Sequence, residues 1–282
     1  MRLHAIETGN FMLDGGAMFG VVPKVLWEKM YPANEKNLCN LSLRCLLVDT
    51  GDHRILIDTG MGAKQDEKFT GHYNLNGEET LEDSLQKAGY RKSDITGVVL
   101  THLHFDHCGG AVDWSADKTT YRPAFPNARY WVSQLQWDWA MQPNRREKPS
   151  FLAENILPLY QSGQLTLFEE GFVPAPGIEL RLFHGHTAGL TVPIIHAPEC
   201  ILVYTTDLFP TMAHLPVSWV CGYDTRPLLS LEEREKFLQE ALEKDYVLFF
   251  EHDVHVQCCR LQMTEKGIRG TGAGPLTGYL SN

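Results

Sequence analysis

The segment Thr101–Gly110 places three histidines and one aspartate within six residues, directly after the apolar run Gly97–Leu100. Imidazole and carboxylate groups at this density are typical of metal sites. In an extended chain, residues two apart point the same way, so His102 and His104 can contact one cation together. Asp106 and His107 lie beyond the turn and face a second cation. This segment therefore predicts ligands for two metal ions.

Two catalytic metals need about three more protein donors if each keeps a position for water. Three candidates each end or follow a strand-like apolar run: His186 after residues 178–183, Asp207 after 201–206, and His252 after 246–251. Since α/β proteins place their sites at the carboxyl ends of strands, these donors are expected to meet at one cluster. His184 is the alternative to His186, because it lies two residues away on the same side of an extended chain.

These residues resemble the signature of the metallo-β-lactamase-fold hydrolases, which is H-x-H-x-D-H followed by a downstream His, a bridging Asp and a last His. The resemblance runs from the element at residues 55–60 to residue 253. It implies an α/β protein with a four-layer αββα sandwich, and it favours His186 over His184. The roles it implies are His102, His104 and His186 for one metal, Asp106, His107 and His252 for the other, Asp207 as the bridge, and Asp58 as the group that orients a ligand histidine.

Within that family, residues 207–211 and 250–253 resemble the branch that contains quorum-quenching N-acyl-homoserine-lactone lactonases and methyl-parathion-type hydrolases. This implies a small-molecule substrate with a lactone, ester or phosphotriester group. Two positions depart from the pattern. Pro210 stands where the lactonases carry a Tyr that polarises the substrate carbonyl, and Leu190 stands where many relatives have a second His. Neither change removes a predicted metal ligand.

The implied binuclear centre predicts hydrolysis by a metal-bridging hydroxide. Two divalent cations would bring the pKa of this water to about neutrality, and one of them would polarise the scissile carbonyl or phosphoryl oxygen. Asp207 would hold the cations together, and Asp106 would pass a proton to the leaving group, so both are predicted catalytic residues. Zinc is the first expectation for the metal, although His and Asp donors also accept manganese, iron or cobalt.

Two other functional classes stay open. One is a mononuclear-iron oxidoreductase that resembles the sulfur dioxygenases of the same fold. The other is a metal-binding module without catalysis. Metal content distinguishes the first alternative from a binuclear hydrolase, and a panel of lactones and aryl esters distinguishes the second.

Composition restricts the partners and the location of the protein. A formal net charge of −10 disfavours a nucleic-acid partner, because phosphate binding needs clustered Lys and Arg. The short basic cluster at residues 145–148 is interpreted as a solvated loop. The amino terminus does not resemble a signal peptide, and no apolar run is long enough for a membrane helix. With seven irregularly spaced cysteines, these features predict a cytoplasmic protein with reduced thiols.

The donors run from residue 102 to residue 252, so a boundary between them would divide the site, and residues 1–282 are predicted to form a single domain. Residues 1–40 are interpreted as an amino-terminal extension that lines the pocket or forms the interface of a homodimer. The glycine-rich residues 267–282 are interpreted as a flexible tail. Ser230 and Glu233 match a capping box that would begin a helix, and residues 78–88 have a similar helical pattern.

Overall fold

In the computed structural model, which describes residues 1–280, sixteen strands form two large sheets and two small two-stranded sheets. The strands are β1 (Arg2–Ile6), β2 (Asn10–Asp14), β3 (Leu38–Ser42), β4 (Cys45–Asp49), β5 (Arg54–Ile57), β6 (Gly97–Val99), β7 (Val112–Trp114), β8 (Tyr121–Pro123), β9 (Arg129–Ser133), β10 (Leu165–Phe168), β11 (Ile178–Phe183), β12 (Leu190–His196), β13 (Ile201–Tyr204), β14 (Val247–Phe249), β15 (Cys258–Thr264) and β16 (Gly267–Gly274).

Eight α-helices accompany the strands, together with short 3₁₀ turns. The helices are α1 (Gly15–Phe19), α2 (Lys24–Trp27), α3 (Glu67–Gly71), α4 (Leu81–Lys87), α5 (Phe105–Cys108), α6 (Gln134–Met141), α7 (Ala153–Gln161) and α8 (Pro227–Glu243). None of the helices within residues 1–280 is long and apolar enough to cross a membrane.

The two large sheets each contain six strands, in the orders β1-β4-β5-β6-β9-β10 and β11-β12-β13-β14-β15-β16. Alternate residues of a strand point to opposite faces, so each sheet buries two surfaces. In β4, Leu46 and Val48 belong to the core between the sheets, whereas Leu47 packs with α4, α6 and α7. In β14, Val247 faces the same inner core and Leu248 packs against α8. One core therefore lies between the two sheets, and one lies between each sheet and its helices. Together they form the predicted four-layer αββα arrangement.

Strand direction brings the predicted donors to one edge. β5 and β6 are parallel neighbours, as are β13 and β14. β11 runs in the direction of β13, because each is antiparallel to β12 between them. The carboxyl ends of β11, β13 and β14 therefore lie at one edge of their sheet, and each is followed by a predicted metal ligand.

The amino-terminal and carboxyl-terminal segments differ from expectation. Residues 267–274 form strand β16, which pairs with β15, so the prediction of a flexible tail is wrong for this stretch because its backbone groups join a sheet. Residues 281 and 282 of that tail lie outside the described residues. Part of the 1–40 segment is a sheet element as well, since β1 pairs with β4. Within this segment, Phe11, Leu13 and Met18 line the cleft described below.

The long carboxyl-terminal helix begins earlier than its capping box predicts. α8 begins at Pro227, a residue type favoured in the first helical turn, so Ser230 lies inside the helix and does not cap it. Glu233 instead accepts hydrogen bonds from the backbone amides of His184 and Gly185, at 2.8 and 2.9 Å. The other predicted helix is present as α4, and the side chain of Thr80 caps it.

Candidate metal centre

Two groups of donor atoms lie at the common edge of the sheets. Within each group, the ligand atoms are within 4.8 Å of one another. The first group is His102, His104, His186 and Asp207, and the second is Asp106, His107 and His252. All seven residues are at least nine-tenths buried. The residues predicted from widely spaced parts of the sequence thus converge, in the same grouping that the family resemblance implies.

Asp207 lies between the two groups. Its Oδ2 atom is 3.0 Å from His186 Nε2, 3.4 Å from His107 Nε2 and 3.6 Å from His102 Nε2, and its Oδ1 atom is 3.2 Å from His252 Nε2. A carboxylate in this position faces donors of both groups at once. The observed geometry therefore suits the predicted bridging role.

The turn that carries Asp106 and His107 is held by close backbone packing. A Cβ atom on Gly109 would lie 2.0 Å from the carbonyl oxygen of Met61, and one on Gly110 would lie 2.2 Å from that of Thr59. Only glycine permits this approach of α5 to the loop after β5. The same contact brings Asp58, at the end of β5, beside His107.

Asp58 occupies the orienting position that the sequence predicts. Its carboxylate accepts hydrogen bonds from the backbone amide and hydroxyl of Thr101, at 2.8 and 2.7 Å, and lies 3.1 Å from His107 Nδ1. A second buried carboxylate, Glu251, is 3.0 Å from the same nitrogen. Such contacts direct the opposite nitrogen, Nε2, towards the donor cluster.

Each of the other cluster histidines also has a polar contact for the nitrogen that points away from the shared centre. Their outward nitrogens face Thr101 Oγ1 at 3.2 Å for His102, Glu147 Oε1 at 3.4 Å for His104, Asp224 Oδ1 at 2.9 Å for His186, and the Ser42 carbonyl at 2.8 Å for His252. These contacts leave Nε2 of three of these histidines, and Nδ1 of His104, directed inward.

The charges of the cluster fit divalent cations. Burial lowers the pKa of His102 and His104. Burial also disfavours the charged forms of His186 and His252, but the neighbouring Asp207 raises their pKa to about 10 and about 9. Burial would raise the pKa of Asp207, yet the charges of His186 and His252 hold it well below its usual range. A bound cation would take the place of such protons beside the carboxylates, because a histidine binds metal through a deprotonated nitrogen.

Comparison with known proteins agrees with this geometry. Residues 43–252 match the family described as the Metallo-beta-lactamase superfamily. The chain belongs to this superfamily. It is 33% identical to a probable metal-dependent hydrolase from Staphylococcus aureus, whose crystal structure superposes with a TM-score of 0.88 over 96% of this chain and 95% of that one. The predicted fold and the assignment as a metal-dependent hydrolase are thereby confirmed.

Two further similarities concern lactonases. An N-acyl homoserine lactonase of Bacillus cereus is 26% identical over 270 residues, which cover 90% of this chain and 93% of the relative. The structure of AidC, a dizinc quorum-quenching lactonase in complex with a product, superposes with a TM-score of 0.80 at 23% identity, over 97% of this chain and 95% of that one. At this identity the second comparison supports the metallo-beta-lactamase fold alone.

Sequence reasoning missed Glu147 and Asp224 at this metallo-beta-lactamase-type site. Asp224 lies in the loop before α8 and contacts His186. Glu147 belongs to the basic cluster interpreted as a solvated loop, but it is only 4% exposed and accepts hydrogen bonds from Trp139 Nε1 and Asn144 Nδ2. That interpretation is wrong for Glu147, because a buried carboxylate inside a basic loop faces His104. The contact of Glu147 with His104 is visible only in the tertiary structure.

His184 lies outside the cluster, and the structure brings His186 into it instead. The Nδ1 atom of His184 accepts a hydrogen bond from the backbone amide of Gly189, at 3.2 Å. Tyr204, near Asp207 in sequence, also points away from the site, since its hydroxyl donates to the carbonyl of Arg44 at 2.8 Å. Both side chains therefore have structural partners of their own.

A cleft opens above the donor cluster. Its empty space, including the part open to solvent at the mouth, is about 710 Å³. Asp106, Asp207, His104, His186 and His252 are at its surface. The remaining walls are mainly apolar and come from distant segments: Phe11, Leu13, Met18, Phe105, Pro210 and Cys221. An apolar cleft with a few polar groups at its base is typical of small-molecule sites.

Proposed function

We propose that this metal-dependent hydrolase is binuclear and that it opens lactones or cleaves esters, in the manner of quorum-quenching lactonases. The observation that carries the proposal is the position of Asp207, which faces both donor groups at the base of an apolar cleft. The relatives named N-acyl homoserine lactonase add support for the lactone class. Phosphotriesters are a second substrate class for the same site.

The proposed ligands are His102, His104 and His186 for one cation and Asp106, His107 and His252 for the other, with Asp207 shared. Two bound divalent cations, zinc as the first expectation, would activate water and polarise the substrate carbonyl. Asp207 would join the two groups, because its Oδ2 atom faces His186 of one group and its Oδ1 atom faces His252 of the other.

Asp106 is the proposed proton carrier. Its side chain is partly accessible from the cleft, whereas the neighbouring His107 is fully buried. A carboxylate at the cleft surface can take a proton from the attacking water and deliver it to the leaving oxygen. In a lactone, that oxygen becomes the hydroxyl group of the ring-opened product.

The cleft also contains groups that could orient the carbonyl in place of the Tyr that Pro210 replaces. Tyr73, Ser150 and Tyr223 are the hydroxyl-bearing residues of its lining among residues 1–280. Burial raises the pKa of Tyr73 and Tyr223, so both stay protonated and able to donate at neutral pH. The variants Tyr73→Phe and Tyr223→Phe test this role, and the donor is the residue whose loss lowers kcat by about 10²-fold.

Metal analysis combined with a substrate panel tests the proposed function. Protein purified without chelator is expected to contain two equivalents of divalent metal and to hydrolyse lactones or aryl esters. One tightly bound iron without hydrolysis would favour sulfur oxidation, and two metals without turnover of any lactone, ester or phosphotriester would favour a non-catalytic module.

The proposed assembly is a homodimer in the cytoplasm. Val21, Val25 and Leu26, beside the cleft wall, are exposed apolar residues that suit an interface between copies. Light scattering coupled to size exclusion measures the mass directly, and a monomer at micromolar concentration would contradict the dimer.

A further inference from the structure

One wall of the cleft is formed by a segment that is too short to be stable alone. Met18, at the cleft surface, belongs to α1, which has five residues. Asp14 caps this helix by accepting a hydrogen bond from the amide of Ala17, at 3.0 Å. Because isolated helices of this length are unstable in water, the position of α1 depends on what surrounds it.

The side chain of His214 holds this segment from behind. Its Nε2 atom is 3.0 Å from the carbonyl oxygen of Met18, and its Nδ1 atom is 2.8 Å from Thr211 Oγ1. The imidazole also stacks on Phe19, with ring centroids 4.5 Å apart and an angle of 5° between the planes. His214 is fully buried and does not reach the cleft surface.

The protonation state of His214 suits these contacts. Burial lowers its pKa to about 4, so the ring is neutral at physiological pH. A neutral imidazole has one donor and one acceptor nitrogen. Nε2 then donates to the Met18 carbonyl while Nδ1 accepts from the hydroxyl of Thr211, and both polar atoms of a buried ring are satisfied.

His214 is itself anchored to the main fold. Arg234, a buried residue of α8, donates hydrogen bonds to the carbonyl oxygens of His214, Pro216 and Trp219. Gly222 packs closely on the same segment, since a Cβ atom at this position would lie 2.5 Å from the carbonyl oxygen of Ala17. The α1 wall is thus connected to α8 through the side chains of His214 and Arg234.

We propose that His214 is a positioning residue that fixes α1 as a rigid wall of the cleft and thereby determines the size of the apolar group that the substrate carries. The size limit rests on the proposed function, because it is measured on acyl substrates. The anchoring of α1 does not depend on that function. His214 acts through Met18 and contacts none of the proposed metal ligands.

Two substitutions separate the contacts of His214. His214→Phe preserves a ring that can stack on Phe19 but removes the donor to Met18, whereas His214→Gln preserves a donor at a similar reach. We expect His214→Phe to change the ratio of kcat/KM between long-chain and short-chain lactones by about tenfold, mainly through KM of the long-chain substrate. His214→Gln should remain closer to the wild type, and metal content should be unchanged in both.

Met18→Ala tests the wall without altering its anchor, and it should change the same ratio. If the ratio is unchanged in Met18→Ala, the wall does not contact the apolar group and the size limit is wrong. If the ratio is unchanged in a folded His214→Phe protein, His214 does not determine it.

Amide hydrogen exchange of the metal-loaded protein provides a readout that does not require turnover. In His214→Phe, residues 14–20 should exchange at least about tenfold faster, while β13 and β14 should be unaffected. Unchanged exchange in residues 14–20 would overturn the anchoring role. If the wild type hydrolyses neither lactones nor esters, the proposed function and the size limit both fail, and the exchange result still decides the anchoring.

Discussion

At the scale of single residues, the site depends on the polar groups behind the cluster histidines. His107 faces Asp58 and Glu251, His186 faces Asp224, and His104 faces Glu147. Each contact selects which ring nitrogen carries the proton and therefore which nitrogen is free to bind a cation. The geometry of the proposed centre thus depends on carboxylates outside the proposed ligand set.

Asp207→Asn should decrease turnover on the order of 10³-fold or more while the fold stays intact. An amide has nearly the shape of the carboxylate, but it is uncharged and its NH2 group is a donor, so only one of its two polar atoms can bind a cation. Steady-state kinetics with circular dichroism checks this expectation. The substitution Asp138→Asn, at an exposed residue, is the control. Near wild-type rates in folded Asp207→Asn protein would contradict the bridging role.

Glu147→Gln should weaken metal binding by about 10-fold to 100-fold. The neutral amide attracts the Nε2 edge of His104, 3.4 Å away, less strongly than the carboxylate does, so the orientation of that ring becomes less defined. Competition with a chromophoric chelator measures the affinity. Arg145→Gln changes an exposed residue of the same loop and should have no effect, and an equal loss in both variants would indicate general damage to the loop.

At the scale of elements, the buried carboxylate of Asp49 on β4 contacts both the edge strand β1 and Tyr90. Arg2 and Asp49 are register partners of β1 and β4, and their side chains approach to 2.6 Å. The hydroxyl of Tyr90 donates to the same carboxylate at 2.6 Å. Burial would raise the pKa of Asp49, but hydrogen bonds from Tyr90, Gly51 and Arg2 lower it to about 2.

The depressed pKa of Asp49 has a defined sign for stability. The carboxylate stabilises the fold above the unfolded-state pKa of about 4, and this contribution is lost as the pH falls towards about 2. Asp49→Asn should therefore lower the free energy of unfolding by about 2 kcal/mol at pH 7, with the difference shrinking below about pH 4. Urea denaturation at several pH values measures this free energy. The control is Asp52→Asn, at an exposed residue, which should show no such pH-dependent difference.

At the scale of the whole molecule, the donor cluster connects the two halves of the sandwich. His102, His104 and His107 follow a strand of the first large sheet, whereas His186, Asp207 and His252 follow strands of the second. A cation bound by both sets cross-links the sheets in the native state only. The proposed metals are therefore expected to stabilise the fold as well as to support catalysis.

Removal of metal with a chelator should lower the melting temperature and abolish hydrolysis, and added zinc should restore both. A ligand that binds only the folded state stabilises it by about 4 kcal/mol at a thousandfold excess over its Kd. Scanning calorimetry checks the shift, with metal loss verified by elemental analysis. An unchanged melting temperature after complete metal loss would show that the sheets do not need the cross-link.

The sequence alone determined the local part of this architecture. His102 to His107 are close along the chain, and His186, Asp207 and His252 each follow an apolar strand pattern, so strand ends predicted a common cluster. The family resemblance then favoured His186 over His184. The α/β fold followed from the same strands. Asp58 was predicted through its motif, and its contact with His107 agrees with the orienting role.

Only the tertiary structure decided which distant residues support the site. Glu147, Asp224 and His214 act through contacts between loops, and their local sequence resembles that of solvated or core positions. The formation of β16 was decided in the same way, by its strand partner β15. The physical reason is that metal-ligand types and strand patterns are encoded by neighbours along the chain, whereas burial and hydrogen-bond partners arise only after the layers have packed.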